Sequence, residues 1–287
     1  MQQLVMFGQS VSDAAQFGPL LDHPRYRVYY SYGQGIPDDL EPGFLFWGAG
    51  RYACSMLAAR DDFTPSSAGA QWMSGLPTEF TGRVVHNCTL AELINSRAVW
   101  DRGSVWLKPA ELKHPALPPS QWTRDRIAGV VVTNPELGGV SVQWTNTIMD
   151  FAAEFRFFVV DGDAVTGSPY LVDGVADHSA GRSWSRYADA HAVARDFAVA
   201  LAGSSPRALV LDIGWDRTRR GWFIVEANRP WSSGLYGCDP DEVAAVIEVS
   251  MRDDSRWEWK PDPVVWSYAE TLRPVSGTRL SSGLWLV

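Results

Sequence analysis

Cysteine, histidine and long apolar runs are all scarce in this chain of 287 residues, and each shortage removes a class of protein. Only Cys54, Cys88 and Cys238 occur, far apart and with no Cys-x-x-Cys pair. An odd, sparse set fits reduced cytoplasmic thiols rather than a disulfide framework, and each reads as a small buried hydrophobe. His23, His86, His114, His178 and His191 show no paired ligand spacing, which speaks against a zinc hydrolase. No apolar stretch approaches the roughly 20 residues that span a bilayer. The opening MQQLVMFGQS lacks a basic segment followed by a long apolar core, so no secretory leader is expected. No G-x-S-x-G marks a serine hydrolase. Neither G-x-x-x-x-G-K-[ST] nor G-x-G-x-x-G marks a phosphate loop, and Gly48 and Gly50 in WGAGR read as a plain turn. Internal repeats and low-complexity tracts are absent. Positive charge is in deficit too: 25 Lys and Arg against 33 Asp and Glu leave a net −8. That balance disfavours broad attraction to nucleic acid or a membrane surface, while leaving room for a local basic groove.

What is present is a globular chain, 46% hydrophobic and 20% charged, with ample material for a core. Its 14 tryptophans are mostly sheet and core packing, as at Trp106, Trp144, Trp215 and Trp222, with a minority free to stack on a ring of a ligand. Strands are predicted over 3–7, 26–31 and 44–47, and helices over 10–21, opened by Ser10 or Ser12, and over 52–59. This alternation implies a small α/β unit with a partly parallel sheet. Residues 61–88 read as connection. Thr89 and Glu92 form a capping-box pattern for a helix over 89–98. Strands follow over 105–107, 129–132 and 140–144, the last two joined by the hairpin connector NPELGG. A loop with Pro109, Pro115, Pro118 and Pro119 separates the first of them from the second. Strand 154–160 turns through Asp161-Gly162-Asp163 into Ala164 and Val165, and 172–186 is a polar loop. Helix 188–202 shows an apolar face of Val193, Phe197 and Leu201. Helix 239–250 has Asp239 as cap and Pro240 at its first position. The tail 252–287 is polar and contains tryptophan; no pattern gives it a place.

The most telling stretch is 208–234, ALVLDIGWDRTRRGWFIVEANRPWSSG. Two apolar runs flank the turn 216–221, and folding them about Arg219 sets Asp212 opposite Glu226, with Asn228 two residues on along the same face. Two carboxylates and an amide oxygen converging on one patch repel each other without a cation, and hard oxygen ligands of this kind suit Mg²⁺, with nucleotide phosphates completing the shell. The alternative is a solvated polar face on an edge hairpin, against which stand the buried-looking neighbours in VLDIG and FIVEAN. Arg156 lies in FRFFVV, where Glu154, Arg156 and Phe158 share one face and Phe155, Phe157 and Val159 the other. So apolar a strand demands a partner for the arginine, either Glu154 or phosphate oxygens. Lys108 ends a strand and faces either solvent or an anion; Lys113 is a second phosphate contact or a loop charge.

In these residues the chain resembles the ATP-grasp superfamily: Asp212, Glu226 and Asn228 match its magnesium-holding acid and Glu-x-Asn motif, VWLKP its phosphate-contacting lysine strand, and EFRFFVVDG its arginine strand and turn. The resemblance covers about 98–250. It implies an α/β (α+β) fold in which a small N-terminal α/β domain, 1–97, precedes a nucleotide-binding region, 98–251. Two antiparallel sheets grip the nucleotide, with a small lid subdomain at about 102–145 and the tail 252–287 beyond. It implies ATP and Mg²⁺ as cofactors, Lys108, Lys113 and Arg156 on phosphates, and Gln143, Trp144 and Thr145 at adenine. Arg156 and Arg229 would be catalytic, Arg229 by holding the acceptor. The implied activity is a ligase that activates a small-molecule or peptide carboxylate as an acyl phosphate and joins it to an amine. A small-molecule kinase and a non-catalytic interaction module remain alternatives, and an oligomer stays open. One departure concerns the phosphate lid. No glycine occurs between Gly103 and Gly129, so the lid is shorter and stiffer than the family's, or the cover comes from elsewhere.

Overall fold

QQLVMF and YRVYYS are near-continuous apolar runs, the pattern of strands buried on both faces. In the computed structural model, which describes residues 1–8, 14–176 and 185–287, Gln2–Phe7 pairs in parallel with Tyr26–Ser31 on one side and Leu45–Trp47 on the other. The partly parallel sheet is therefore found, and helix Gly50–Ala59 follows it. The start of the helix expected over 10–21 lies outside the described residues; its described part holds only a short turn, Gly18–Leu20. The tail, given no place by its pattern, completes this sheet. Trp285–Leu286 adds in parallel to Tyr26–Ser31, Thr278–Arg279 pairs with it, and Arg273–Val275 pairs with Gly35–Pro37. Segments of two or three residues carry no readable period, which is why the sequence was silent there.

A four-stranded antiparallel sheet comes next, in the order His86–Thr89, Ser141–Thr145, Val105–Pro109, Ser120–Trp122. Its apolar face, with Val105, Leu107, Trp122, Val142 and Trp144, packs on Leu90, Leu93 and Ile127. Leu90 and Leu93 belong to a helix, Leu90–Asn95, that carries the expected capping box of Thr89 and Glu92. The strand expected over 129–132 is instead helix Arg124–Thr133. Its three consecutive valines favour a strand locally, but Thr123 caps the helix by accepting from the Arg126 amide, and Ile127 anchors it in the core while Val132 stays exposed. NPELGG is accordingly no hairpin connector; Pro135–Gly139 is a 3₁₀ turn.

The third sheet is antiparallel and five-stranded, in the order Val175–Ala176, Asp163–Val172, Phe151–Val160, Ala208–Asp216, Gly221–Asn228. Asp161 and Gly162, both at positive φ (50° and 82°), make the two-residue turn into Asp163–Val172. The alternation expected for 154–160 holds. Phe155, Phe157 and Val159 join Leu209, Leu211 and Ile213 in a core under helix Tyr187–Leu201. Phe158 and Val210 face the other way and pack against the N-terminal sheet and helix Pro240–Ser250. Asp239 caps that last helix as expected. Helix Tyr187–Leu201 differs in detail: Ala190, Ala194, Ala198 and Leu201 face inward, and Val193 and Phe197 are only half-buried. Small residues there let the helix approach the phenylalanines closely. The fold is thus α/β, with a small N-terminal α/β part and two antiparallel sheets.

Within the large sheet the Phe157 ring occupies the space where a residue-167 side chain would begin; a Cβ on Gly167 would meet it at 2.2 Å. Gly167→Ala is expected to destabilise the protein by about 1–3 kcal/mol, read as a lowered urea midpoint. Gly75→Ala, whose Cβ meets nothing within 4 Å, is the control and should leave the midpoint within experimental error.

Candidate functional site

The second face of the large sheet is apolar at one end and charged at the other. Phe158 and Val210 pair across strands and sit in the core; two residues further along, Arg156 and Asp212 are the next direct partners on that face. The Arg156 guanidinium forks onto both Asp212 oxygens, with Nε to Oδ1 at 2.8 Å and Nη2 to Oδ2 at 2.7 Å. Asp212 has no exposed surface and Arg156 retains 7%. Asp212 faces Glu226 across the hairpin, as the sequence arithmetic gave. Asn228 completes the patch, its amide donating to Asp212 at 3.1 Å and to Glu226 at 2.9 Å. Lys108 reaches in from the four-stranded sheet and pairs with Glu226. Two acids, two cations and an amide thus converge between the sheets.

Their register depends on a bulge. Ile213 faces Ile224, yet Asp212 faces Glu226, so Val225 is an extra residue on its strand. In a regular ladder Glu226 would share the face of Ile224 and point into the core under helix Tyr187–Leu201; the extra residue turns it to the side of Asp212.

Electrostatics follow from this packing. Burial pushes the Asp212 carboxyl up, against the pull of Arg156 and with Glu226 adding to the rise. Its charge therefore depends on the guanidinium. Burial would likewise raise Glu226, but Lys108, then Asn228 and Arg156, hold it well below the usual carboxylate range. Arg156 is disfavoured as a cation by burial, and Asp212 more than restores it, holding it above its ordinary value. Above the fork, Tyr170 and Tyr236 stack at 5.3 Å, and both rings lie against the guanidinium, at 5.6 and 4.9 Å. Tyr170 is the extra residue of a second irregularity, between Pro169 and Leu171, and its hydroxyl donates to Glu154. Arg156 is thus paired with Asp212 rather than Glu154.

The remaining expected residues divide. Gln143 is the direct partner of Lys108 on the four-stranded sheet and shares its face, with its amide on the Ala70 carbonyl at 3.0 Å. Thr145 is buried and accepts from the Thr147 amide. Trp144 lies on the opposite, core face, stacked on His86 at 4.2 Å. Lys113 is exposed and forms no ion pair among the described residues. Arg229 is set apart from the acidic patch, between Trp231 and Trp259 at 4.9 and 5.1 Å. It donates to the Glu111 carbonyl at 3.1 Å, and its Nη1 has no hydrogen bond. Burial lowers its pKa, against the charge of Glu111. The proline-rich loop that carries Glu111 is docked rather than free: Leu117 is fully buried and Glu111 accepts from the Trp259 indole.

Sequence reasoning missed three groups around the patch: Tyr170 on Glu154, Glu111 beside Arg229, and Arg83. Arg83 is 8% exposed and has no carboxylate within ion-pair distance among the described residues. Its Nη1 donates to the carbonyls of Thr81 (2.9 Å) and Ile224 (3.2 Å), and its Nη2 to that of Val225 (3.0 Å). Burial lowers its pKa to about 10. It comes from a stretch that reads as connection, with no local period to single it out.

The donor set suits a hard divalent cation: Asp212 and Glu226 offer carboxylate oxygens and Asn228 an amide oxygen once its side chain turns over. Among the described residues no cluster of three or more His, Cys, Asp and Glu offers a self-sufficient metal site, as befits an ion that shares its shell with phosphates. No described helix is long and apolar enough to cross a membrane.

Residues 80–246, more than half the chain, match a family model described as an ATP-grasp domain, clade family 2. Three solved structures are similar. The RimK domain protein ATP-grasp from Sphaerobacter thermophilus DSM 20745 shares 10% identity over 93% of this chain and 99% of its own, with a TM-score of 0.45. The D-alanine–D-alanine ligase from Bacillus anthracis complexed with ATP shares 12%, over 87% and 96%, with a TM-score of 0.46. The D-alanine–D-alanine ligase from Coxiella burnetii shares 11%, over 88% and 96%, with a TM-score of 0.47. No curated protein matches the chain.

Arg156→Met should leave Asp212 buried without its cation and lower stability by about 3–5 kcal/mol. Arg156→Met with Asp212→Leu, which removes both charges, should recover most of that loss. Urea unfolding of the two variants checks both values, and equal losses would show that the pair is not coupled.

Proposed function

The chain belongs to the ATP-grasp domain family, and from that premise we propose that it is a Mg²⁺-ATP-dependent ligase that activates a carboxylate as an acyl phosphate and joins it to an amine. The observation that carries this reading is the convergence of Lys108 and Arg156 with Asp212, Glu226 and Asn228 between two antiparallel sheets. In the ligand-free protein each cation is neutralised by an acid. The same residues suit a bound nucleotide: the acids and Asn228 would hold Mg²⁺, and Lys108 and Arg156 would turn their donors to phosphate oxygens.

Bound there, Mg²⁺ supplies positive charge that bridges phosphate oxygens and offsets charge building up during transfer. Lys108 releases Glu226 and takes a phosphate oxygen. Arg156, held in plane by Asp212 and by the Tyr170 and Tyr236 rings, presents its free edge to the transferred phosphoryl group. Gln143 and Thr145 line the nucleotide side on the strand that pairs with the Lys108 strand, while backbone groups there read adenine. Trp144 acts from the core face as support, and Lys113 stands in reserve on the exposed loop as a phosphate contact. The phosphoryl group passes from ATP to the substrate carboxylate, leaving ADP. The amine then attacks the acyl carbon, forms the amide bond, expels phosphate and gives up a proton. Arg229 is assigned to the acceptor because its Nη1 carries no hydrogen bond.

Calorimetry with Mg²⁺-ATP tests this. Wild type should bind, and Glu226→Ala with Asn228→Ala should weaken binding roughly tenfold or more. Turnover with a matched acid and amine should then release ADP and phosphate in equal amounts. A phosphorylated acceptor with no free phosphate would make the protein a kinase, and a well-folded wild type that binds no nucleotide would leave an interaction module.

A further inference from the structure

The acidic patch exists because of one extra residue, Val225, and that residue needs a reason to stay. A bulge leaves backbone groups outside the ladder, and the carbonyls at this one belong to Ile224 and Val225. Both accept from a single buried guanidinium, that of Arg83, at 3.2 and 3.0 Å. Arg83 is in turn fixed from its own side. Its Nη1 also donates to the Thr81 carbonyl at 2.9 Å, and the fully buried Thr81 hydroxyl donates to the Arg83 carbonyl at 2.5 Å. Gly82 between them sits at φ +66°, and a Cβ there would meet Phe223 and Met149 at 2.9 and 2.8 Å. The backbone must pass that close for Arg83 to reach the bulge. A guanidinium taken out of water without a carboxylate is an expensive group, so its retention on two adjacent carbonyls calls for a role.

We infer that Arg83 is a positioning residue for the magnesium-nucleotide site: by bridging the Ile224 and Val225 carbonyls it holds the bulge that turns Glu226 and Asn228 to the side of Asp212. This rests on the proposed function and deepens it. Arg83 touches neither acid, and acts on metal geometry only through the backbone register. Its fork is suited to the task, because two carbonyls of one strand need two donors at fixed spacing, which a lysine ammonium does not offer.

The test counts Mn²⁺ by electron paramagnetic resonance in the presence of saturating AMPPNP, using the full chain. Arg83→Met should weaken nucleotide-dependent Mn²⁺ binding about tenfold or more, while affinity for AMPPNP in EDTA stays within about twofold. Arg83→Lys, which keeps the charge and can serve one carbonyl, should fall between, and it stands in if the methionine variant does not fold. Arg83→Met combined with Glu226→Gln should bind Mn²⁺ no more weakly than Glu226→Gln alone, because both act through the same ligand. Wild-type Mn²⁺ affinity in the Arg83 variants, or losses that multiply in the double variant, would overturn the inference. If wild type binds no nucleotide, the functional proposal fails, and Arg83 is judged by backbone NMR alone. A slipped pairing of residues 224–228 in an Arg83 variant then sustains it as the keeper of the bulge. Glu226 still opposite Asp212 refutes it.

Discussion

A carboxylate with no exposed surface, such as Asp212, is tolerated only with a cation beside it, and nearly everything in the charged half of this molecule is arranged to supply one. Arg156 lies directly across the ladder, so the pair is set by strand register alone and requires no flexible reach. Lys108 then closes the charge balance from the other sheet through Glu226. The ligand-free cleft is electrically near neutral, and its two sheets are tied by an ion pair made of groups that a nucleotide and its metal would each claim. Separating that pair exposes a cation for phosphate and an anion for metal in the same event.

The large sheet makes this possible by serving two cores. One face is wholly apolar under a helix whose inward residues are alanines, and the other is apolar only where the N-terminal sheet and helix Pro240–Ser250 cover it. The boundary falls between Phe158 and Arg156 on one strand and between Val210 and Asp212 on the next. The polar half is therefore built on strands whose positions are fixed by packing on both sides, which gives the patch rigid support. The stacked Tyr170 and Tyr236, one in a strand irregularity and the other at φ 53°, cover the guanidinium from the remaining direction.

Much of this was legible in the sequence. The alternation in EFRFFVV fixed the two faces of that strand, and the pairing of Asp212 with Glu226 followed from counting back from the turn. The count succeeded for a reason that was not visible: the hairpin loop is centred half a residue before Arg219, and the bulge at Val225 makes up the difference. Local propensity misled at 129–132, where three valines sit in a helix because Thr123 and Ile127 outweigh them. Arg83 was illegible because its partners are main-chain carbonyls far along the chain, which no side-chain pattern records. The same holds for Glu111, whose indole and guanidinium partners lie more than a hundred residues away. Trp144 carried a strand signal but no sign of which face it would take.

The pairing of Trp285–Leu286 with Tyr26–Ser31 has a consequence for how the protein is made. A ribosome adds about 5–20 residues per second, so the first strands wait on the order of ten seconds or more for the neighbour that completes their sheet. For that interval the outer edge of Tyr26–Ser31, an apolar strand with open backbone donors and acceptors, stands as a template for any other extended chain nearby. The nucleotide-binding half can mature meanwhile, since its two sheets are complete by Asn228. Biosynthesis is therefore most vulnerable at the beginning of the chain and is made safe only at its end. A nascent chain stalled before Trp285 would carry finished cleft architecture and an unfinished, adhesive edge.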